Sequence, residues 1–359
     1  MPRFTTPFFS ADSFWNQRIR SDVTADTQSP QWIKLLAQSQ TGGLEGLHLN
    51  LHNWTIPVFC ADEATPRYQL NPKLHRCHLS QGHIKVMEHR LRQHPHPLGL
   101  HPSVSAGVPI PAEALPDPQQ DAHMVVVDTA AQRAYDFWQC RREADGRWHT
   151  NAAIAYDLRG PGVFTGEIDG IHNDESVHAY GPCRASGVPL LAGLIMKDEI
   201  DAGHIAHKLA FACPVPGLQC FQHPATWTDG WLPGGLPEGC VLQLSPELDL
   251  GRFELTPAAR TIARALQEYG AVLVDYAGGV TLYGEWLEPH PGLSWEGVLA
   301  ESDLASIGFE HFRILQTGPL HEQGSHPVFH QGMSRLFYDY IERHGTDSLE
   351  ALEPWRHNL

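Results

Sequence analysis

No Cys-x-x-Cys spacing occurs in this chain, so neither a zinc knuckle nor a thioredoxin-type pair is supported. The seven cysteines are Cys60, Cys77, Cys140, Cys183, Cys213, Cys220 and Cys240. Their odd number leaves at least one thiol unpaired, and free, buried thiols are the default expectation, with a Cys213–Cys220 pair as the alternative. Positive charge is also scarce. Lys and Arg number 25 against 41 Asp and Glu, a formal charge of −16. Nothing would neutralise phosphate in bulk, which argues against a nucleic-acid partner. The same balance weakens the case for a polyanionic substrate unless a local arginine pocket overrides it. No apolar run reaches membrane-spanning length, and Met1 to Trp15 has no apolar h-region or cleavage pattern. The chain as written is expected to be soluble, with no membrane partner and no export address. Its compartment stays open, because a removed leader would make it secreted. Gly-x-Ser-x-Gly is missing, so Ser186 has no nucleophile elbow to sit in.

Hydrophobic residues make up 42% and charged ones 18%, which places the chain among globular proteins. Gly 32 and Pro 28 favour many short elements joined by turns over long helices. The expected fold is mainly β, a jelly-roll-like β-sandwich with a few peripheral helices. Residues 1–290 are read as one β-rich domain with an inserted His-rich loop at 75–105. Residues 291–359 are read as a helical extension packed on it, with an amphipathic last helix over 333–344.

The stretch from Asp121 to Trp138 organises the rest. Met124 to Val127 is a β-branched run, Thr129 to Gln132 is turn-like, and Tyr135 to Trp138 returns with alternating character, a hairpin pattern. It brings Asp121, His123, Asp128 and Asp136 near the indole of Trp138. One strand is expected over 47–59, ending near Pro57, and another from Trp148 through Tyr156. Ser29 and Pro30 open a short helix, and Lys197 to Phe211 reads as a helix with Ile200, Ile205 and Leu209 inward. Thr256 caps a helix through Tyr269, Ala271 to Asp275 is a buried strand, and 277–279 turn it into a return over 280–285.

Seven histidines, His75, His78, His83, His89, His94, His96 and His101, crowd a Pro-bordered stretch without His-Glu-x-x-His. A solvated loop is favoured there over a metal site, and no metal or cofactor is expected. Arg184-Ala-Ser-Gly places a guanidinium and the Ser186 hydroxyl among small residues, where backbone approaches a ligand closely. Arg184 is the candidate carboxylate clamp and His207 a candidate base. The loop Gln222 to Trp231 offers Trp227 as a sugar platform beside Asp229.

Taken together, Asp-x-His-Met-x-Val-x-Asp, Tyr-Asp-Phe-Trp138, Arg184-Ala-Ser-Gly-x-Pro-Leu-Leu-Ala-Gly-Leu-Ile, Pro-Ala-Thr-x-Thr-Asp-Gly230 and Tyr-Gly-x-x-x-x-Asp275 form a specific set. On these motifs residues 8 to 288 resemble a broad group of bacterial proteins, often secreted and mostly uncharacterised. The resemblance implies one inherited domain whose polar motifs surround a common cleft. It implies no reaction. This chain departs from the group in its His-rich segment and in having no export leader.

Carboxylates beside aromatic platforms point to sugar chemistry. The first expectation is a polysaccharide-cleaving enzyme with a polysaccharide or oligosaccharide as its partner. A glycoside hydrolase needs two carboxyl groups across a cleft, and Asp121 and Asp136 are chosen from the pool that includes Asp128 and Asp229. Trp138 and Trp227 would hold sugar rings. A β-eliminating lyase would use His123, His207 or Tyr283 as base and Arg184 on a uronate carboxylate. Two further readings stand beside these: a non-catalytic carbohydrate-binding protein, and a metal-dependent enzyme built on the histidines.

Overall fold

The computed structural model describes residues 3–40, 46–72, 100–164, 167–168, 171–172, 182–226 and 228–322. Among the described residues strand outweighs helix, 27% against 15%, so the fold is mainly β with few helices. The framework strands are β1 (His48–Asn50), β2 (Val58–Ala61), β3 (Met124–Asp128), β4 (Arg133–Trp138), β5 (Ala152–Asp157) and β6 (Leu209–Cys213). They continue with β7 (Leu236–Glu238), β8 (Val241–Leu244), β9 (Ala271–Tyr276), β10 (Thr281–Tyr283) and β11 (Phe312–Ile314). Helices α1 (Ser29–Gln38), α2 (Lys197–Ala202) and α3 (Pro257–Glu268) flank them.

Two sheets pack face to face. One has the order β5-β4-β3-β2, the other β1-β10-β6-β9-β8-β11. Side chains alternate along each strand, so each sheet has two faces to cover. Val125 and Val127 of β3, Ala134 of β4 and Ile154 of β5 meet Ala210 and Ala212 of β6 and Val272 and Val274 of β9 between the sheets. The opposite face of the larger sheet, through Leu209, Phe211, Leu242 and Leu273, packs on Trp32 and Leu36 of α1 and on Ile262 and Leu266 of α3. Met124, Val126, Tyr135 and Phe137 pack outward on Val104, Val108 and Ile110. Both sheets are thus buried on both sides, which explains why Met124 to Val127 and Ala271 to Val274 read as unbroken apolar runs.

The expected hairpin forms, with Met124 opposite Phe137 and Asp128 opposite Arg133. The sandwich is mixed rather than purely antiparallel, since β1 with β10, β6 with β9 and β2 with β3 are parallel pairs. The helix from Thr256 is present, and its hydroxyl accepts from the Ala259 N–H at 3.1 Å.

Several expected elements change. The single strand over 47–59 divides into β1 and β2, which join different sheets, and β2 starts after Pro57 instead of ending there. The helix from Lys197 stops at Ala202, because Gly203 turns left-handed (φ 70°) and its N–H closes on the carbonyls of Glu199 and Ile200. Residues 203–208 are turn and irregular, and Leu209 onward becomes β6. Strands β9 and β10 do not pair with each other; β6 lies between them, parallel to one and antiparallel to the other. The tail after residue 291 is not purely helical. Its described part includes β11, the edge of the larger sheet beside β8, with Leu242 opposite Ile314, and a short strand His321–Glu322 that pairs antiparallel with Cys220 and Phe221. The helix expected at 333–344 falls outside the described residues. So do the histidines from His75 to His96, whereas His101 is buried and bonds the Ser103 hydroxyl at 2.8 Å. Cys60, Cys140, Cys183, Cys213 and Cys240 are free thiols, so the Cys213–Cys220 pair does not form. No described helix is long and apolar enough to cross a membrane.

Candidate functional site

The segment after Pro182 runs between the two sheets. Val188, Leu190, Leu191, Ala192, Leu194 and Met196 belong to the inter-sheet core. That apolar run anchors the polar residues before it. Arg184 is 1% exposed, and its guanidinium lies over the Tyr283 ring at 4.2 Å. Its Nη2 donates to the Leu190 carbonyl at 3.2 Å. Ser186, fully buried, donates its backbone N–H to the Val274 carbonyl at 3.3 Å, and its own carbonyl accepts from the Thr226 N–H at 3.0 Å. One loop therefore ties β9, β10 and the 222–230 segment together beside the hairpin.

The hairpin contributes the opposite wall. Ala122 sits at φ 42°, a left-handed value unusual for a residue with a Cβ, between Asp121 and His123. Asp121 stays partly exposed and accepts from the Trp138 indole N–H at 3.2 Å. His123 is buried. Desolvation, with the Arg184 charge adding to it, brings its imidazole down to about 4 despite the opposing pull of Asp121. It is neutral at physiological pH, and its Nε2 finds no hydrogen-bond partner among the described residues.

Carboxyls crowd the remaining side. Asp275, at the end of β9, is held well above the usual carboxylate range by desolvation and by the charges of Asp229 and Asp121, with Arg184 opposing. Glu238, at the end of β7, is fully buried and is likewise held well above its usual range by desolvation, Asp229 and Asp275. One Glu238 oxygen accepts from the Asp229 backbone N–H at 3.3 Å. Asp117 lies behind Asp121, with its N–H bonded to the His123 carbonyl at 3.0 Å. Burial first, then Asp121, pushes its carboxyl up to about 7. Tyr283 is raised well above its usual value by desolvation and Asp275. Asp121, Trp138, Asp229 and Asp275 keep partial exposure, while Arg184, Ser186, His123, Tyr283 and Glu238 are buried behind them. The site thus has a solvent edge of carboxylates and an interior holding one guanidinium.

The sequence-derived candidates divide. Asp121, His123, Trp138, Arg184, Ser186, Asp229 and Tyr283 gather here. Asp136 sits close by but is fully buried, accepting from the Tyr156 hydroxyl at 2.7 Å and the Leu190 N–H at 2.7 Å. Burial pushes it up to about 6 against those hydrogen bonds. Both its carboxylate oxygens are taken up by these hydrogen bonds, through which it ties Leu190 of the Arg184 loop to β4 and β5. Asp128 caps the hairpin turn, accepting from the Ala131 N–H at 2.8 Å. Trp227 lies outside the described residues.

His207 belongs elsewhere. Its Nε2 meets Glu199 at 3.1 Å and its Nδ1 the Lys208 carbonyl at 2.8 Å, both buried. Desolvation acts to lower its pKa, but Glu199, through its charge and hydrogen bond, and the Lys208 carbonyl together raise it above the ordinary value. A raised imidazole stabilises the fold fully below its unfolded value of about 6.5, and that contribution is lost as pH rises through the higher native value. Thermal melts across pH should therefore show His207→Gln destabilised most on the acidic side of this window. An offset that is equal at every pH would contradict the ion-pair role.

The site also holds Asp117, Glu238 and Asp275, which the sequence motifs do not mark as site residues. Asp275 had a signal, a carboxyl at the end of a buried strand just before Tyr-Ala-Gly-Gly. Asp117 lay in a Pro-Asp-Pro turn and Glu238 in a Pro-Glu-Gly turn, where acidic residues have local reasons to occur.

No protein-family model, curated protein or solved structure matches the chain. Among the described residues no three His, Cys, Asp or Glu side chains are grouped to hold a metal ion.

Proposed function

We propose that the protein cleaves a polysaccharide, as a glycoside hydrolase that uses paired carboxyl groups at this site. The observation that carries the reading is Asp275. It is a partly exposed carboxyl held well above the usual carboxylate range, first by desolvation and then by the nearby charges of Asp229 and Asp121. Glycoside hydrolysis needs this inequality: one carboxyl neutral to protonate the leaving oxygen, another ionised to act on the anomeric carbon or on a water. Asp275 is the proposed acid, and Asp121 or Asp229 the proposed nucleophile or base. Trp138 beside Asp121, and the exposed rings of Tyr276 and Trp231 close in sequence to Asp275 and Asp229, suit stacking against sugar rings.

A β-eliminating lyase is the second reading. It is favoured by His123, which is neutral with Nε2 unengaged, in the electrostatic neighbourhood of Arg184. A polysaccharide panel separates the readings. Hydrolysis yields new reducing ends without unsaturation. Reducing ends that appear together with the ultraviolet absorbance of an unsaturated uronate would transfer the assignment to the lyase. A complete panel without new ends would overturn cleavage altogether.

A further inference from the structure

We infer that the buried interior of this site is a subsite for an anionic substituent on the sugar, a uronate carboxylate or a sulfate ester, held by Arg184 with the hydroxyls of Ser186 and Thr226. The inference rests on the proposed glycan reading and adds the substrate class.

The observation is a set of unspent donors. Arg184 is 1% exposed, yet neither its Nε nor its Nη1 has a hydrogen-bond partner among the described residues. Ser186 Oγ and Thr226 Oγ1 are buried without a partner as well. The two hydroxyl residues are joined by the Thr226 N–H to Ser186 carbonyl bond, and Ser186 is two residues from Arg184. Buried polar groups in folded proteins are nearly always hydrogen-bonded, and leaving a charged one unengaged is costly. Four such atoms on three neighbouring residues, one of them a guanidinium, fit a group that brings several acceptor oxygens and a negative charge. Carboxylate and sulfate do so, and a planar guanidinium is the side chain best matched to them.

The surrounding carboxyls modify this picture without cancelling it. Asp136, Asp275 and Asp121 lie in the electrostatic neighbourhood of Arg184 from β4, β9 and the start of the hairpin. They compensate its charge without hydrogen-bonding its Nε or Nη1. An incoming anion replaces that compensation best when Asp275 and Glu238 are neutral, the state their crowding favours. Tyr283 beneath the guanidinium is raised and also neutral. His123 carries no charge at physiological pH and adds no attraction. The chain's formal charge of −16 repels polyanions in general, so affinity must come from this local anchor.

The test is calorimetric binding to the full chain carrying Asp275→Asn, so that titration does not depend on turnover. The probes are oligouronides, their carboxyl-reduced counterparts, and sulfated and unsulfated forms of one neutral oligosaccharide. One anionic form should bind about tenfold or more tightly than its neutral counterpart, the size expected for a charge-assisted contact. Arg184→Lys should remove most of that preference, and Ser186→Ala, a milder change, part of it. Which of the two anions is preferred identifies the substituent. Equal affinity for charged and neutral forms, or no binding by any anionic form, overturns the inference. The two readings fail separately. Wild-type cleavage of neutral and acidic glycans at equal rates would leave hydrolysis standing and remove the anionic subsite. Anion-selective binding without any cleavage would do the reverse.

Discussion

Asp275→Asn should lower turnover of the cleaved polysaccharide by about 10²–10⁴-fold, the range that positioned proton transfer contributes. Asn keeps the shape of the side chain but cannot give up a proton. KM should change far less than kcat, because the sugar-stacking aromatics are untouched. In the wild type the activity should fall as pH rises through the raised value of Asp275, since only the protonated form donates. A residual activity in the Asn variant should lack that limb. Stability should move the other way. A carboxyl whose native pKa is raised above its unfolded value opposes folding at every pH where the unfolded form is ionised. The amide removes that opposition, so the variant should melt no lower than the wild type at neutral pH, and higher if the crowding dominates. A loss of activity accompanied by a gain in stability marks a functional strain rather than a damaged fold. Wild-type turnover by Asp275→Asn would remove Asp275 as the acid.

Gly193→Ala should unfold the protein more readily than any surface substitution. Gly193 has φ 72°, and a Cβ there would lie 2.3 Å from the Ala210 nitrogen and 2.5 Å from the Leu209 carbonyl carbon. Those are backbone atoms of β6, held because Ala210 donates to the Gly193 carbonyl at 2.9 Å. Left-handed strain of roughly 1–2 kcal/mol adds to overpacking of about 1–3 kcal/mol. The sum, about 3 kcal/mol, corresponds in a chain of this length to a fall in Tm on the order of 4 °C. Gly203→Ala is the control. Gly203 has φ 70° but nothing within 4 Å of a built Cβ, so it should suffer only the backbone strain. Equal melting losses in the two variants would show that the close approach of this loop to β6 is not what fixes it. The loop also carries Arg184, so Gly193→Ala should weaken the site through position as well as stability.

The sequence was most informative where one local pattern decided the structure. Met124 to Val127 with Tyr135 to Trp138 could hardly be other than paired strands, and Thr256-Pro257 with Gly270 bounds α3 as capping chemistry requires. It misled where partners are distant. Nothing local says that β6 separates β9 from β10, or that Phe312–Ile314 completes the larger sheet beside β8. At 197–211 an apolar period suited a helix, but Gly203 ended it, and the residues beyond were needed as a central strand. Within the site, Arg184, Asp121, His123, Asp229 and Tyr283 stood out because polar residues interrupted small or apolar stretches. Asp136 stood out for the same reason, yet its hydrogen bonds turn it to the interior. Glu238 and Asp117 were hidden in turns, and their crowding by other carboxyls is a property of three-dimensional proximity alone.

The most direct trial of the account is a crystal structure of Asp275→Asn soaked with an oligosaccharide that the wild type degrades. The sugar should lie along the edge formed by Asp121, Asp229 and residue 275, with a glycosidic oxygen within hydrogen-bond reach of the substituted side chain. A sugar bound on another face, with that edge left to solvent, would contradict it.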